Sequence, residues 1–196
     1  MKKILISLIV LFISFGNKIV ADTTNSIKQI YEGKEDAKIT IITYESLTCG
    51  HCADFHKNVY PQLKKEFIDT GIVKIVFKHF PLDIAALNAS KVAQCNNDGK
   101  STLLHFLFSN QEKWMVGKTI NDANENLKKL LKDENINIDF EKCISDKNIE
   151  DYVLNDRIEG IKKFKVNATP TIIINNKKFE KPLNFKNLKN SIEKLI

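Results

Sequence analysis

The stretch Lys38-Ile39-Thr40-Ile41-Ile42-Thr43-Tyr44 is followed, after a short loop, by Cys49-Gly50-His51-Cys52. The first part is apolar and β-branched, which predicts a buried strand. The residues after it predict a helix, because apolar residues recur there every four positions. They are Phe55, Val59, Leu63 and Phe67. The two cysteines therefore lie at the carboxyl end of a strand, where sheets of this kind place their catalytic groups.

Two thiols at this spacing can close a disulfide or open to a dithiol, which predicts a redox site. Cys49 lies nearer the helix N-terminus, where unpaired amides and the helix dipole favour a thiolate, so it is assigned as the nucleophile. Cys52 lies one turn further in and is assigned as the resolving thiol. Gly50 leaves the turn open to a substrate, and His51 can place an imidazolium beside the Cys49 thiolate. A stabilised thiolate stabilises the reduced form and makes the disulfide a better oxidant.

Metal binding or delivery is the alternative of another class for the same residues. Zinc takes about four ligands, and only His51 and His56 lie close to Cys49 and Cys52 in the sequence. No second Cys-x-x-Cys is present. Redox exchange is therefore favoured, and no metal or other cofactor is predicted.

Residues 1–21 indicate a secretory signal peptide. Two lysines follow Met1, an apolar run extends from Ile4 to Phe15, and Ala21 precedes the expected cleavage point. The run is shorter than the roughly 20 residues that a membrane-spanning helix needs. Export would place the cysteines in an oxidising compartment, where disulfide chemistry is the leading use of such a pair.

The charge of the chain argues against a nucleic-acid partner. Removal of residues 1–21 takes away three lysines and no acid, which leaves 27 Lys and Arg against 24 Asp and Glu, a net charge of +3. The basic residues are spread along the chain rather than clustered.

The rest of the chain completes an α/β pattern. A buried parallel strand is predicted from Ile72 to Phe80. Four helices are predicted between Ile84 and about Phe164, and the second of them is a single bulky helix from Leu103 to Trp114. Beyond Pro170 the pattern predicts a strand, an Asn-Asn turn, an edge strand at Lys177–Glu180 and a last helix capped by Asn184.

Four motifs resemble those of the DsbA-like thiol:disulfide oxidoreductases, in particular their alphaproteobacterial branch. They are Ser46 to His56, Tyr60-Pro61, Val76 to Asp83 and Ala168-Thr169-Pro170-Thr171. The resemblance covers about Lys34 to Ile196. It implies a thioredoxin fold for residues 22–196, with an inserted helical domain at residues 83–164.

The resemblance also implies roles and partners. Pro170 would be a cis proline packed against the cysteines, with Thr169 offering its backbone to substrate; a trans proline that opens a strand is the alternative. Cys49 would exchange disulfides with reduced exported proteins in the periplasm, and a DsbB-like membrane partner would reoxidise it. No separate dimerisation domain is evident, so a monomer is expected.

Cys95 and Cys143 are expected to form a second, structural disulfide. Exported proteins rarely keep two idle thiols, and the resembling proteins carry a structural disulfide in this region. The alternatives are that either thiol is free or that one of them takes part in relay chemistry.

Two departures from the family pattern affect the balance between oxidase and isomerase activity at the site. The dipeptide between the cysteines is Gly50-His51, the pair typical of protein disulfide isomerases, where this branch usually has Pro-His. Thr43 stands six residues before Cys49, where many relatives carry an acid. Glu45, two residues after Thr43, would face the same side of the strand, but it lies nearer the loop and is expected to be solvated. The buried acid that assists proton transfer in relatives is therefore expected to be missing, and a disulfide isomerase or reductase is the alternative to an oxidase.

Overall fold

The computed structural model describes residues 26–196. The signal peptide predicted for residues 1–21 lies outside these residues. Within the described part of the chain, no helix has the length and apolar character needed to cross a membrane.

Five strands form one mixed sheet in the order β1-β3-β2-β4-β5. The central strand β2 (Ile39–Glu45) lies parallel to β3 (Val73–His79) and antiparallel to β4 (Thr171–Ile174). β1 (Ile30–Glu32) and β5 (Lys177–Lys178) lie at the two edges, each antiparallel to its neighbour. β1 was not predicted, because three residues are too few to show a period.

One continuous helical segment follows the cysteines. It consists of α1 (Gly50–Asp54), a π-helical turn (Phe55–Val59), α2 (Tyr60–Leu63) and a second π-helical turn (Lys64–Ile68). Pro61 has no N–H to donate to the preceding turn. The chain accommodates the proline by widening the turn before it rather than by ending the helix.

Six helices lie between β3 and β4, where four were predicted. They are α3 (Ile84–Gln94), α4 (Thr102–Ser109), α5 (Gln111–Trp114), α6 (Ile120–Asp133), α7 (Phe140–Ser145) and α8 (Lys147–Phe164). The single helix predicted from Leu103 to Trp114 was wrong, because the backbone leaves the helical conformation at Asn110. The Asn110 amide donates to the Phe106 carbonyl, and the Trp114 indole donates to the Leu107 carbonyl, so this break leaves two terminal carbonyls satisfied.

The C-terminal segment follows the predicted pattern. Asn175 and Asn176 both have positive φ, 44° and 66°, as a tight hairpin turn requires. The edge strand β5 ends at Lys178, two residues earlier than predicted. The last helix, α9 (Phe185–Glu193), begins at Asn184, whose side chain accepts the N–H of Asn187.

The sheet is covered on both faces, which explains why β2 and β3 have no exposed residue. The larger core cluster lies between one face and the helical segment after Cys49, α3 to α7 and α9. On the other face, Tyr44 packs with Phe80 and Phe164. α8 approaches β2 closely here, since a Cβ added at Gly160 would lie 2.7 Å from the Tyr44 ring.

Cys95, directly after α3, forms a disulfide with Cys143 of α7. We expect the Cys95→Ala/Cys143→Ala variant to lose about 2–4 kcal/mol of unfolding free energy, because the unfolded chain regains the freedom of a loop of 48 residues. Urea unfolding measures this loss. Cys49→Ala/Cys52→Ala is the matched control, because it removes two cysteines and keeps this disulfide. Equal stability of the variant and the wild type would contradict a stabilising role.

Candidate active site

The end of β2 and the start of α1 hold the two cysteines in unequal environments. Cys49 is the residue before the first helical turn, with an extended backbone, and its carbonyl accepts the N–H groups of Cys52 and Ala53. Cys49 is half-buried, whereas Cys52 is wholly buried. Of these two sulfurs, only that of Cys49 is therefore within reach of another protein.

A distant loop approaches the cysteines from the other side. The Thr169–Pro170 peptide bond is cis. As a thiol, Cys49 donates to the Thr169 carbonyl oxygen at 3.3 Å, a contact between residues 120 positions apart. Thr169 and Pro170 line a cleft of about 630 Å³, and its wall also includes His51, Phe55 and Leu183. A substrate segment in this cleft would lie beside the Cys49 sulfur.

The surroundings of Cys49 lower the pKa of its thiol to about 5. The largest cause is the Cys52 thiol, which donates a hydrogen bond to the Cys49 sulfur; burial opposes the shift. The Thr169 side chain and the backbone amides of Cys52 and His51 lower the pKa further. At neutral pH Cys49 is therefore a thiolate. The contribution of His51 to this shift comes through its backbone amide, and the predicted role of its imidazole stays a prediction.

Cys52 has the opposite character. Burial raises the pKa of its thiol strongly, the hydrogen bond to Cys49 raises it further, and so does the negative charge of Glu45. Cys52 therefore keeps its proton in the reduced protein. The pair combines one thiolate that can attack or leave with one thiol that holds it in place.

The expectation that Glu45 is solvated was wrong. Glu45 is only 4% exposed, because β2 continues to this residue and the Phe80 amide donates to its carbonyl oxygen. One carboxylate oxygen, Oε2, lies 2.9 Å from Nε2 of His56, and the other, Oε1, has no partner. A buried acid is thus present near Cys52 after all, two residues later than the family pattern places it. Thr43, at the usual position, is also buried, and its hydroxyl has no partner.

His56 belongs to a line of polar groups that sequence reasoning missed. Its Nδ1 lies 2.8 Å from Nδ1 of His105, and Nε2 of His105 lies 2.8 Å from Oε1 of Glu32. The only sequence signal was the spacing of four residues between Cys52 and His56, which places both on one helical face. His105 and Glu32 come from α4 and β1, and no local pattern connects them to the cysteines.

Both ring nitrogens of His56 thus have protein partners. Among residues 26–196, no group of three or more His, Cys, Asp or Glu side chains has the arrangement to hold a metal ion.

Comparison with known proteins agrees with this geometry. The family model described as Thioredoxin matches residues 25–194. The crystal structure of Wolbachia pipientis α-DsbA1 superposes with a TM-score of 0.74 at 32% identity, covering 85% of this chain and 90% of that one. The chain is a DsbA-like member of the thioredoxin superfamily. The predicted fold class and family resemblance are therefore confirmed.

Two curated relatives extend the comparison of this DsbA-like chain. Disulfide bond formation protein D of Bacillus subtilis is 27% identical over 189 residues, which cover 91% of this chain and 82% of that protein. A Rickettsia bellii relative, provisionally named a protein-disulfide oxidoreductase, is 30% identical over 147 residues, or 73% of this chain and 55% of its own length. The chain thus spans about half the length of that relative.

The lowered pKa of Cys49 predicts a pH dependence of stability for the reduced protein. In the unfolded chain the pKa of the Cys49 thiol has its ordinary value of about 8.5. Because folding lowers this pKa, ionisation of the thiol stabilises the folded protein. This contribution is complete above about pH 8.5 and is lost as the pH falls to the folded value of about 5. Cys52 does not contribute to the pH dependence of the unfolding free energy below about pH 8.5. Its pKa is raised in the folded protein, so its thiol is protonated in both the folded and the unfolded chain in this range.

We therefore expect the reduced protein to gain unfolding free energy relative to reduced Cys49→Ser as the pH rises from about 5 to 8. Urea unfolding at several pH values measures the difference, and the ultraviolet absorbance of the thiolate gives its midpoint independently. A difference that does not change with pH would contradict a stabilised thiolate.

Proposed function

We propose that this chain is a protein disulfide oxidoreductase that forms disulfide bonds in reduced exported proteins. The observation that carries the proposal is the inequality of the two thiols. The accessible Cys49 has a pKa of about 5, and the buried Cys52 has a strongly raised pKa. A pair in which one sulfur is a stable thiolate favours its dithiol form, and the corresponding disulfide is then a good electron acceptor.

The reaction starts from the Cys49–Cys52 disulfide. A substrate thiolate attacks Cys49, the bond between the two cysteines breaks, and its electron pair goes to the Cys52 sulfur, which takes up a proton. A mixed disulfide then joins the substrate to Cys49. A second substrate thiolate attacks the substrate sulfur of that bond and expels Cys49 as a thiolate. The substrate has lost two electrons, and the enzyme is left as the dithiol.

The loop before β4 supports substrate binding in this scheme. The Thr169 carbonyl lies 3.3 Å from the Cys49 sulfur and Pro170 lines the adjoining cleft. An extended substrate segment that pairs with the Thr169 backbone would place its own cysteine at Cys49. The space beside Gly50 is open to a substrate, since a Cβ added there would meet no atom within 4 Å.

The wider setting of the enzyme is part of the proposal. Residues 1–21 would direct residues 22–196 to the periplasm, and residues 83–164 would form the helical insertion of the thioredoxin domain. A DsbB-like membrane protein would reoxidise the dithiol, the enzyme would act as a monomer, and it would need no cofactor besides its own disulfide.

Disulfide isomerase or reductase activity is the second candidate. The Gly50-His51 dipeptide favours it, because this pair is typical of isomerases. The two candidates share the chemistry at Cys49 and differ in the redox form that starts the reaction. An oxidase starts as the disulfide, whereas an isomerase starts as the dithiol.

Two variants test the roles of the thiols. Cys49→Ala should abolish oxidation of a reduced unfolded protein, because the other sulfur of the pair, that of Cys52, is buried and cannot meet the substrate thiolate. Oxidised Cys95→Ala/Cys143→Ala is the control and should keep the activity. Regain of enzymatic activity by reduced ribonuclease measures substrate oxidation. Retained oxidation by Cys49→Ala would contradict the mechanism.

Cys52→Ala should instead accumulate a mixed disulfide through Cys49 when it meets an oxidised substrate protein. The buried thiol that would resolve this bond is then missing. Mass spectrometry of the covalent adduct, with Cys49→Ala/Cys52→Ala as the blank, measures the trapping. An adduct at Cys95 or Cys143 rather than at Cys49 would contradict the assignment of the nucleophile.

A further inference from the structure

The loop that carries Cys49 is held mainly by side chains from other elements. It runs from Ser46 to Cys49, between the end of β2 and the start of α1, and the Cys49 N–H donates to the Ser46 carbonyl at 3.0 Å. The other polar groups of this loop need partners from elsewhere in the chain, because a buried polar group without a partner is costly. These partners help to set the position of the Cys49 sulfur.

One side of the loop is fastened to the segment before α3. The Thr48 hydroxyl donates to Oδ2 of Asp83 at 2.8 Å, and the Leu82 amide donates to the Ser46 hydroxyl at 3.3 Å. Asp83 also begins α3, because its Oδ1 accepts the N–H of Ala86. On this side the loop is therefore tied to the start of the inserted helices.

Gln111, the first residue of α5, fastens the backbone of the same loop. Its Nε2 donates to the Leu47 carbonyl at 2.7 Å and to the Cys49 carbonyl at 3.2 Å. Both partners are carbonyl oxygens, which only accept, so the side-chain amide must present its NH2 group to them. The two contacts span 64 and 62 positions of the chain, and no local sequence pattern indicates them.

These two hydrogen bonds lie away from bulk water. Gln111 is 8% exposed, and Leu47 is 1% exposed. Among residues 26–196, Gln111 is the only hydrogen-bond donor to the Leu47 carbonyl oxygen. If this donor is lost, the buried carbonyl stays unsatisfied unless water can enter, which carries a penalty in free energy.

The break between α4 and α5 gives Gln111 its position. The backbone leaves the helical conformation at Asn110, and Gln111 follows directly. Trp114 lies three residues further on, on the same face of α5, and its buried indole donates to the Leu107 carbonyl at 3.0 Å. Trp114 thus fixes α5 in the core, and this keeps Gln111 against the loop.

The bond to the Cys49 carbonyl acts on the residue that carries the reacting sulfur. A carbonyl oxygen has a partial negative charge, which disfavours a thiolate close to it. This carbonyl also accepts the N–H groups of Cys52 and Ala53, so the Gln111 amide is a third donor. Each donor offsets part of the negative charge. The bonds also hold the loop in the geometry in which Cys52 donates to the Cys49 sulfur.

We propose that Gln111 is a positioning residue that stabilises the Cys49 thiolate by holding the Leu47 and Cys49 carbonyls with its amide. The bonds are present in the form in which Cys49 and Cys52 are free thiols. They therefore favour the reduced pair, and a favoured reduced pair makes the disulfide a stronger oxidant. The inference rests on the proposed function, since it concerns the oxidising strength of that same pair.

Three variants of the full-length protein separate hydrogen bonding from packing. Gln111→Met keeps an unbranched side chain of similar length but has no donor. Gln111→Ala removes the side chain, and the adjoining cleft of about 650 Å³, which Gln111 lines with Gly50 and His51, then lets water reach the two carbonyls. Gln62→Met is the matched control, because it makes the same exchange at an exposed amide that donates to the Asn58 carbonyl at 2.8 Å.

Two measurements report on the pair itself. The ultraviolet absorbance of the thiolate against pH gives the midpoint of Cys49 ionisation. Equilibration with glutathione buffers, acid quenching and alkylation give the ratio of dithiol to disulfide, which mass spectrometry counts in the peptide that contains both Cys49 and Cys52. A change that only lowers the stability of the fold would leave both values where they are.

We expect Gln111→Met to raise the midpoint by about one pH unit and to shift the equilibrium about tenfold towards the disulfide, or about 30 mV, which is roughly the worth of one hydrogen bond. Gln111→Ala should change both values in the same direction but by less, since water replaces the lost donors. Gln62→Met should match the wild type. A role in packing alone predicts a larger change for alanine than for methionine, because alanine leaves the larger cavity.

Two results would overturn this role of Gln111. One is a midpoint and an equilibrium that equal those of Gln62→Met, in Gln111→Met or, if that variant does not fold, in Gln111→Ala. The other is a larger change in Gln111→Ala than in Gln111→Met. Failure of the proposed function differs from both, because the wild type itself would then not oxidise reduced ribonuclease.

Discussion

The hydrogen bond between the two active-site sulfurs is the interaction on which the rest of the site depends. Cys52 donates to the Cys49 sulfur, and this is the largest cause of the lowered Cys49 pKa. The bond exists because burial keeps the proton on Cys52 while helix-terminal amides favour charge on Cys49. Cys52 must therefore lie inside the core and Cys49 at its boundary. The junction of β2 with α1 gives the two cysteines these positions.

Several distant parts of the chain surround Cys49 and Cys52 and contribute to the difference between the two thiols. The start of α1 lies at the carboxyl end of β2, and the loop before β4 brings Thr169 and Pro170 to the half-buried Cys49. The inserted helices contribute His105, which joins the line of polar groups from Glu45 through His56 to Glu32. The Cys95–Cys143 disulfide joins the end of α3 to α7. We propose that this disulfide stabilises the framework and that the redox chemistry belongs to Cys49 and Cys52.

Local patterns predicted much of this structure. The β-branched run before Cys49, the four-residue period after it and the Asn175-Asn176 turn led to the correct elements, because each depends on neighbouring residues. Predictions failed where distant contacts decide. Glu45 was expected in solvent because only its place beside a loop is visible in the sequence, whereas His56 and the continued β2 strand bury it. Glu32 and His105 were missed for the same reason, since their roles arise only where β1 and α4 meet.

The redox potential of the Cys49/Cys52 pair tests the central claim most directly. Equilibration with glutathione buffers, in the Cys95→Ala/Cys143→Ala variant to isolate the pair, gives this value. The account predicts a potential well above the roughly −270 mV of thioredoxin, towards the roughly −120 mV of strongly oxidising members of the superfamily, because the Cys49 thiolate stabilises the reduced form. A potential at or below about −270 mV would contradict an oxidase.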